Sequence, residues 1–144
     1  MIIKILASQV PTFWEAIKFA ALSADEVEEK NRQAYLNEIL HSLLSDKAQC
    51  FVFLDEERVL IGLMVTRVQV DKITDEKSLL LQALYVWKRP DTQVWIDGFN
   101  YVKQFALSQG CDTFSFSSRN PALWARAAEF GAVEKTRMFT LQLV

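Results

Sequence analysis

Few side chains in this 144-residue sequence are equipped for covalent or acid–base chemistry, and their spacing narrows the choice further. His41 is the sole histidine, and Cys50 and Cys111 stand far apart with neither a Cys-x-x-Cys pair nor a Cys/His cluster around them. Zinc takes three or four such ligands and a thiolate nucleophile takes a neighbouring base, so no metal ligand is assigned and no catalytic residue is identified. Each thiol opens an apolar run and reads as a small core residue. Gln82 and Tyr85 are the polar members of a long apolar run, and Ser117 and Ser118 close a later one. An amide or a serine hydroxyl can orient a substrate, but neither can be tuned toward neutrality as a general acid or base. Catalysis by such residues would rest on holding two reactants together. Lys88 and Arg89 follow the same run and offer charge to an anion, or simply meet solvent. Tyr85 reads as a half-buried strand aromatic, or else as a wall beside a bound group, and Trp87, Trp95 and Trp124 read first as packing.

Something must position these residues, and the composition is sufficient for it. Half of the chain is hydrophobic, 12% is aromatic, and only four glycines and three prolines interrupt it. A chain of this length buries roughly two-thirds of its unfolded surface, enough for a core without disulfide or metal. With no internal repeat or Pro/Gly/Ser-rich linker, residues 1–144 are expected to form one domain. The 16 basic and 18 acidic side chains are mixed along the chain, leaving no basic stripe for a phosphate backbone, so nucleic acid is excluded as the expected partner. The apolar start, Met1 to Leu6, is ended by Ser8, Gln9 and Pro11 before a signal or membrane segment could form, which implies no membrane contact and a cytoplasmic location.

The elements alternate. Ile2 to Leu6 reads as a strand, and Pro11 opens a helix carrying Phe13, Trp14, Ile17, Ala20 and Ala21 at helical spacing. Between Asp25 and Asp46 a second helix places Leu36, Ile39, Leu40, Leu43 and Leu44 on one stripe, behind a charged and solvated first half. Cys50–Leu54 and Arg58 onward, to as far as Val70, form a hairpin about Asp55–Glu57. After a polar loop, Asp71 to Lys77, the run from Ser78 to Trp87 is apolar on both faces and is expected at the middle of the sheet. Thr92 to Gln109 returns to helix and ends at Gly110, suited to a left-handed position. Phe114 and Phe116 mark a short strand. Asn120 and Pro121 begin a short helix that stops at Gly131. Met138 to Leu143 alternates and predicts a final strand, Phe139, Leu141 and Leu143 on one face.

This order, together with local text, resembles the GNAT superfamily of acyl-CoA-dependent N-acyltransferases. "LYVWKRP" at Leu84–Pro90 is similar to the family's "LxVxP" exit from its central strand, and "NPALWARAAEFGA" at Asn120–Ala132 to its "NxxAxxLYEKLGF" segment. The likeness covers roughly the last 95 residues; the N-terminal helices agree only in number and order. It implies an α/β fold with a mixed, mostly antiparallel sheet flanked by helices. It also implies that Leu84, Tyr85, Val86, Trp87, Arg89 and Asn120 line a site for acetyl-CoA or another acyl-CoA. In the family a Gly-rich turn, Q/R-x-x-G-x-G/A, holds the cofactor's pyrophosphate, because close-approaching backbone N–H groups at a helix start bind anions. Here that turn falls on Asp91, Thr92, Gln93, Val94, Trp95 and Ile96, with an acid in place of the amide or base and bulky residues in place of glycine. The family's tyrosine acid falls on Ala127.

Two functions follow. One is acetyl transfer from acyl-CoA to the amine of a small molecule or protein. The other is a catalytically inactive GNAT-like binding or structural protein, like the small GNAT-like proteins encoded in phage genomes, with no cofactor and with a second copy or another protein as partner.

Overall fold

The computed structural model describes residues 1–144. Its chain runs β1 (Ile2–Lys4), α1 (Val10–Ala24), α2 (Arg32–Leu44), β2 (Ala48–Leu54), β3 (Leu60–Val70), β4 (Lys77–Val86), α3 (Thr92–Ser108), β5 (Thr113–Phe116) and α4 (Pro121–Glu129), with short 3-10 turns before α1 and α2. The five strands form one sheet in sequence order, antiparallel from β1 to β4, with β5 added parallel to β4. The middle of the sheet is therefore β3, not the Ser78–Trp87 run, whose apolar character comes from being covered on both faces rather than from lying third of five.

One face packs Ile17, Ala20, Ala21, Ile39 and Leu43 of α1 and α2 on Cys50, Val52, Leu63, Val65 and Ala83. The other face packs Val102 and Ala106 of α3 on Phe51, Met64 and Leu79. The stripe of α2 differs from expectation at one end: Leu44 is half exposed while Ser42 is buried, giving its hydroxyl to Glu38. Both thiols are buried and free. The β2–β3 turn is held by the Asp55 carboxylate, which accepts from the N–H groups of Glu57 and Val59. Gly110 and Gly131 take the positive φ their places demand, +74° and +86°.

The expected final strand is absent. From Gly131 to Val144 every residue is exposed, and no strand is formed. Alternation alone does not make a strand; it needs a neighbour for its backbone and a surface for its apolar face. Neither reaches this segment within the chain.

Candidate functional site

Two irregularities meet near the C-terminal end of β4. The first is a bulge. Val65 of β3 pairs with Ala83 but Thr66 pairs with Leu81, so Gln82 is the extra residue. The side-chain alternation slips there: Leu79, Leu81 and Leu84 belong with the α3 face, while Ala83 and Tyr85 belong with the α1/α2 face. The second is a parting of strands. β5 pairs with β4 only from Ser78↔Thr113 to Leu81↔Phe116, whereas β3 follows β4 onward to Gly62↔Val86. Trp87 donates its N–H to the Ile61 carbonyl. Since successive strand amides point to opposite sides, those of Leu84 and Val86 turn to the side that has no strand.

Below this open edge, on the α3 face, lies a cleft of about 410 Å3 between β4, β5, α3 and α4, walled mainly by apolar side chains. Leu84 and Val86 line it, as do Val94, Trp95 and Ala127. Two glycines shape its floor. A methyl group on Gly62 would lie 2.9 Å from the Phe53 ring and force it to shift, and one on Gly98, 3.3 Å from the same ring, would press on it. Arg126 brings a guanidinium to the wall, over the Trp95 ring at 5.8 Å and paired with Glu129 at 3.1 Å.

One amide at the start of α3 is already taken. Asp91 caps it, accepting from the Val94 N–H at 3.0 Å, so a carboxylate occupies the amide that would otherwise face an anion. Asn120 caps α4 in the same manner, accepting from Ala122 N–H at 3.0 Å, and Trp124 donates to the Ser118 carbonyl beside it. Arg89 stands exposed in the loop between β4 and α3.

On the opposite face the bulge carries a polar group into the protein. Gln82 Oε1 is buried without a hydrogen-bond partner. Beside it the Tyr35 hydroxyl donates to Asp25 at 2.5 Å. Burial, and then the Asp25 carboxylate, push the phenol well above its ordinary range, so it is a fixed proton donor rather than a base. Tyr85 and Trp87 point to this side too, forming an aromatic cluster with Phe19 whose rings lie 4.9 to 6.0 Å apart. Across the opening Arg119, after β5, pairs with Glu26, after α1.

The six residues expected to line a cofactor site therefore divide: Leu84 and Val86 face the cleft, Tyr85 and Trp87 the opposite aromatic cluster, Arg89 solvent, and Asn120 its own helix. Sequence reasoning missed Asp25, Tyr35, Phe19 and Gly98. Gln82 it noticed only as polar; the broken alternation about Gln82 was the available sign of a bulge.

No protein-family model matches the sequence, and no curated protein matches it significantly. Solved structures do match. An aminoglycoside acetyltransferase from an uncultured soil metagenomic sample superposes with a TM-score of 0.74 at 13% identity, over 100% of this chain and 98% of its own. The chain has the GNAT acetyltransferase fold. AAC(6')-Iy in complex with a CoA bisubstrate analogue gives 0.71 at 15% identity, over 100% and 97%. Ribosomal-protein-alanine N-acetyltransferase from Brucella melitensis gives 0.69 at 11%, over 99% of each chain.

Proposed function

We propose that the chain is an acyl-CoA N-acyltransferase of the GNAT type, taking the thioester arm along the open edge of β4 and an amine from the opposite face. The observation that carries this is the end of the β4–β5 ladder at Leu81↔Phe116, directly above an apolar cleft. An amide-bearing arm such as pantetheine can add to that edge as a strand would, through Leu84 and Val86. The acyl group would then lie near the bulge, where Gln82 Oε1, buried and without a protein partner, would accept from the N–H of an amine that reaches it. In acyl transfer the amine nitrogen bonds to the thioester carbonyl carbon, the C–S bond breaks, and a nitrogen-borne proton balances the released thiolate. Two faces of one sheet holding two reactants at a common edge is positioning chemistry. The AAC(6')-Iy neighbour, bound to a CoA bisubstrate analogue, supports the reading by its fold.

The residues do not fit the whole donor. Asp91 and the side chains of Val94 and Trp95 stand where a diphosphate would need small residues and free amides, and Ala127 carries no proton to offer a thiolate. Those positions favour a second reading, a GNAT-fold protein that binds without turnover. Thermal denaturation with acetyl-CoA separates a binder from a non-binder. Cofactor at a hundred times its Kd stabilises by about 2.7 kcal/mol, a shift of several degrees for a chain this size. No shift at millimolar acetyl-CoA excludes the enzyme. A shift with no thiol release in the presence of a panel of primary amines favours the second reading.

A further inference from the structure

The cleft beneath the open edge is far larger than a two-carbon acyl group needs. It encloses about 410 Å3, and a methylene takes roughly the room of a water molecule in the liquid, about 30 Å3. It also runs deep along the sheet. Its walls reach from Val86, at the end of β4, to Thr113, which pairs with Ser78 near the start of the same strand. From Ser78 to Val86 a strand covers roughly 26 Å. An acetyl group entering beside Leu84 would fill only the first part of that length.

The inner surface selects by polarity. Met64, Leu81, Phe114 and Phe116 wall the cleft from the sheet, and Val102 and Ala106 wall it from α3. Phe99 of α3 and Phe130 at the end of α4 stack at 4.3 Å, joining the two helices beside it. The charged residues of the wall are spoken for: Lys103 and Asp112 are exposed to solvent, and Arg126 pairs with Glu129. The one buried side-chain polar atom without a partner, Gln82 Oε1, lies on the opposite face. A cleft of this make-up offers a polar ligand no orphaned side chain to hold, whereas an apolar chain gains from every methylene it buries.

We propose that this cleft seats an unbranched acyl chain of about eight to ten carbons, a length its volume admits with room left at the mouth for the thioester, so that the preferred donor is a medium-chain acyl-CoA. The chain enters where β5 leaves β4, passes Leu81 and Phe116, and ends between Ala106 and the start of β5. An acyl tail is the occupant because the cleft opens directly beneath the edge to which the thioester arm adds, so the tail reaches it without leaving the site. Acetyl-CoA, held by its arm alone, remains a ligand and is the weakest of the series. The choice of donor rests on the acyltransferase reading; the seat for the chain does not.

Calorimetric titration of the full chain with straight-chain acyl-CoAs, from acetyl to tetradecanoyl, tests it. Affinity should rise by up to roughly fourfold per methylene as far as octanoyl or decanoyl, and then level or fall. Leu107 and Thr113 stand at the far end of the cleft and are exposed, so substitutions there are expected to leave the fold intact. Leu107→Glu should weaken decanoyl-CoA at least tenfold more than it weakens acetyl-CoA, and Thr113→Phe should move the optimum to a shorter chain. Titration with 1-decanol, which has neither thioester nor nucleotide, separates the two readings. Decanol bound while every acyl-CoA is refused leaves the seat standing, as a site for a free chain, and removes the acyltransferase reading. A wild-type series flat from acetyl to decanoyl overturns the seat and leaves that reading in place, as does a rise with chain length that both variants leave untouched. Binding of neither decanol nor any acyl-CoA overturns both.

Discussion

Gln82 is where stability and chemistry pull apart most clearly. A buried carbonyl oxygen without a partner costs about 1–3 kcal/mol, and here it sits at a bulge that itself interrupts the sheet. Gln82→Leu removes the orphaned oxygen with little change in volume. It is expected to raise the unfolding free energy by about 1 kcal/mol in urea titration, while any acyl transfer falls by tenfold or more through loss of the amine's acceptor. Lower stability together with unchanged turnover would sink that role. Cys50 supplies a second test, through pH. Burial pushes its thiol up to about 12, whereas in the unfolded chain a cysteine titrates near 8.5. Above that lower value the unfolded chain releases the proton and the folded chain keeps it. Stability is therefore fully present at pH 7 and declines as pH rises toward the folded value. The decline should amount to roughly 1.5–2 kcal/mol by pH 10 from this group. Cys50→Ala starts lower, because it leaves a cavity, but should show a correspondingly shallower slope between pH 8 and 10.

Helix α3 shows how one cap decides what an element can bind. Asp91 was legible in the sequence as a cap, since an acid at a helix start meets the positive end of the dipole, and its hydrogen bond to Val94 N–H makes the same carboxylate a repulsive neighbour for phosphate. Asparagine caps nearly as well as aspartate. Asp91→Asn should thus keep the melting temperature within a degree or two yet tighten CoA several-fold in calorimetry, and an unchanged affinity would mean that phosphate never approaches α3. Caps, turns and helical stripes are local, which explains why Asn120, Gly110, Gly131 and the α1 face could be read directly. What could not be read depends on neighbours. Whether Leu44 or Ser42 turns inward is decided by how α2 lies on β2, and that β3 rather than β4 is the middle strand is decided by where β5 ends its row. The alternation around Phe139 predicts a strand, but a strand is a relation between two segments, and the sequence pattern describes only one of them.

At the scale of the molecule, the proposed site is a boundary rather than a set of catalytic side chains. Helices α1 and α2 bring Asp25, Tyr35 and Phe19 to one face of the sheet, while α3 and α4 bring Trp95 and Ala127 to the other, and the sheet between them opens where β5 leaves β4. None of Asp25, Tyr35 or Phe19 forms a motif with Gln82 in the sequence, because the fold assembles them from three elements. The physical balance at the boundary is uneven. The apolar cleft and the free amides of Leu84 and Val86 suit the acyl and pantetheine parts of a donor, whereas the capped start of α3 gives its nucleotide diphosphate little to hold. In a site of this kind most of the donor's binding energy comes from the arm. S-acetylpantetheine should then bind within about tenfold of acetyl-CoA, a difference of about 1.4 kcal/mol at most, where a glycine-rich diphosphate seat would separate them by far more. Calorimetric titration of both ligands at low and moderate salt decides it. Acetyl-CoA binding a thousandfold tighter, with an affinity that falls steeply as salt is added, would place the diphosphate on protein charge after all, with Lys103 and Arg126 the cations on the cleft wall to carry it.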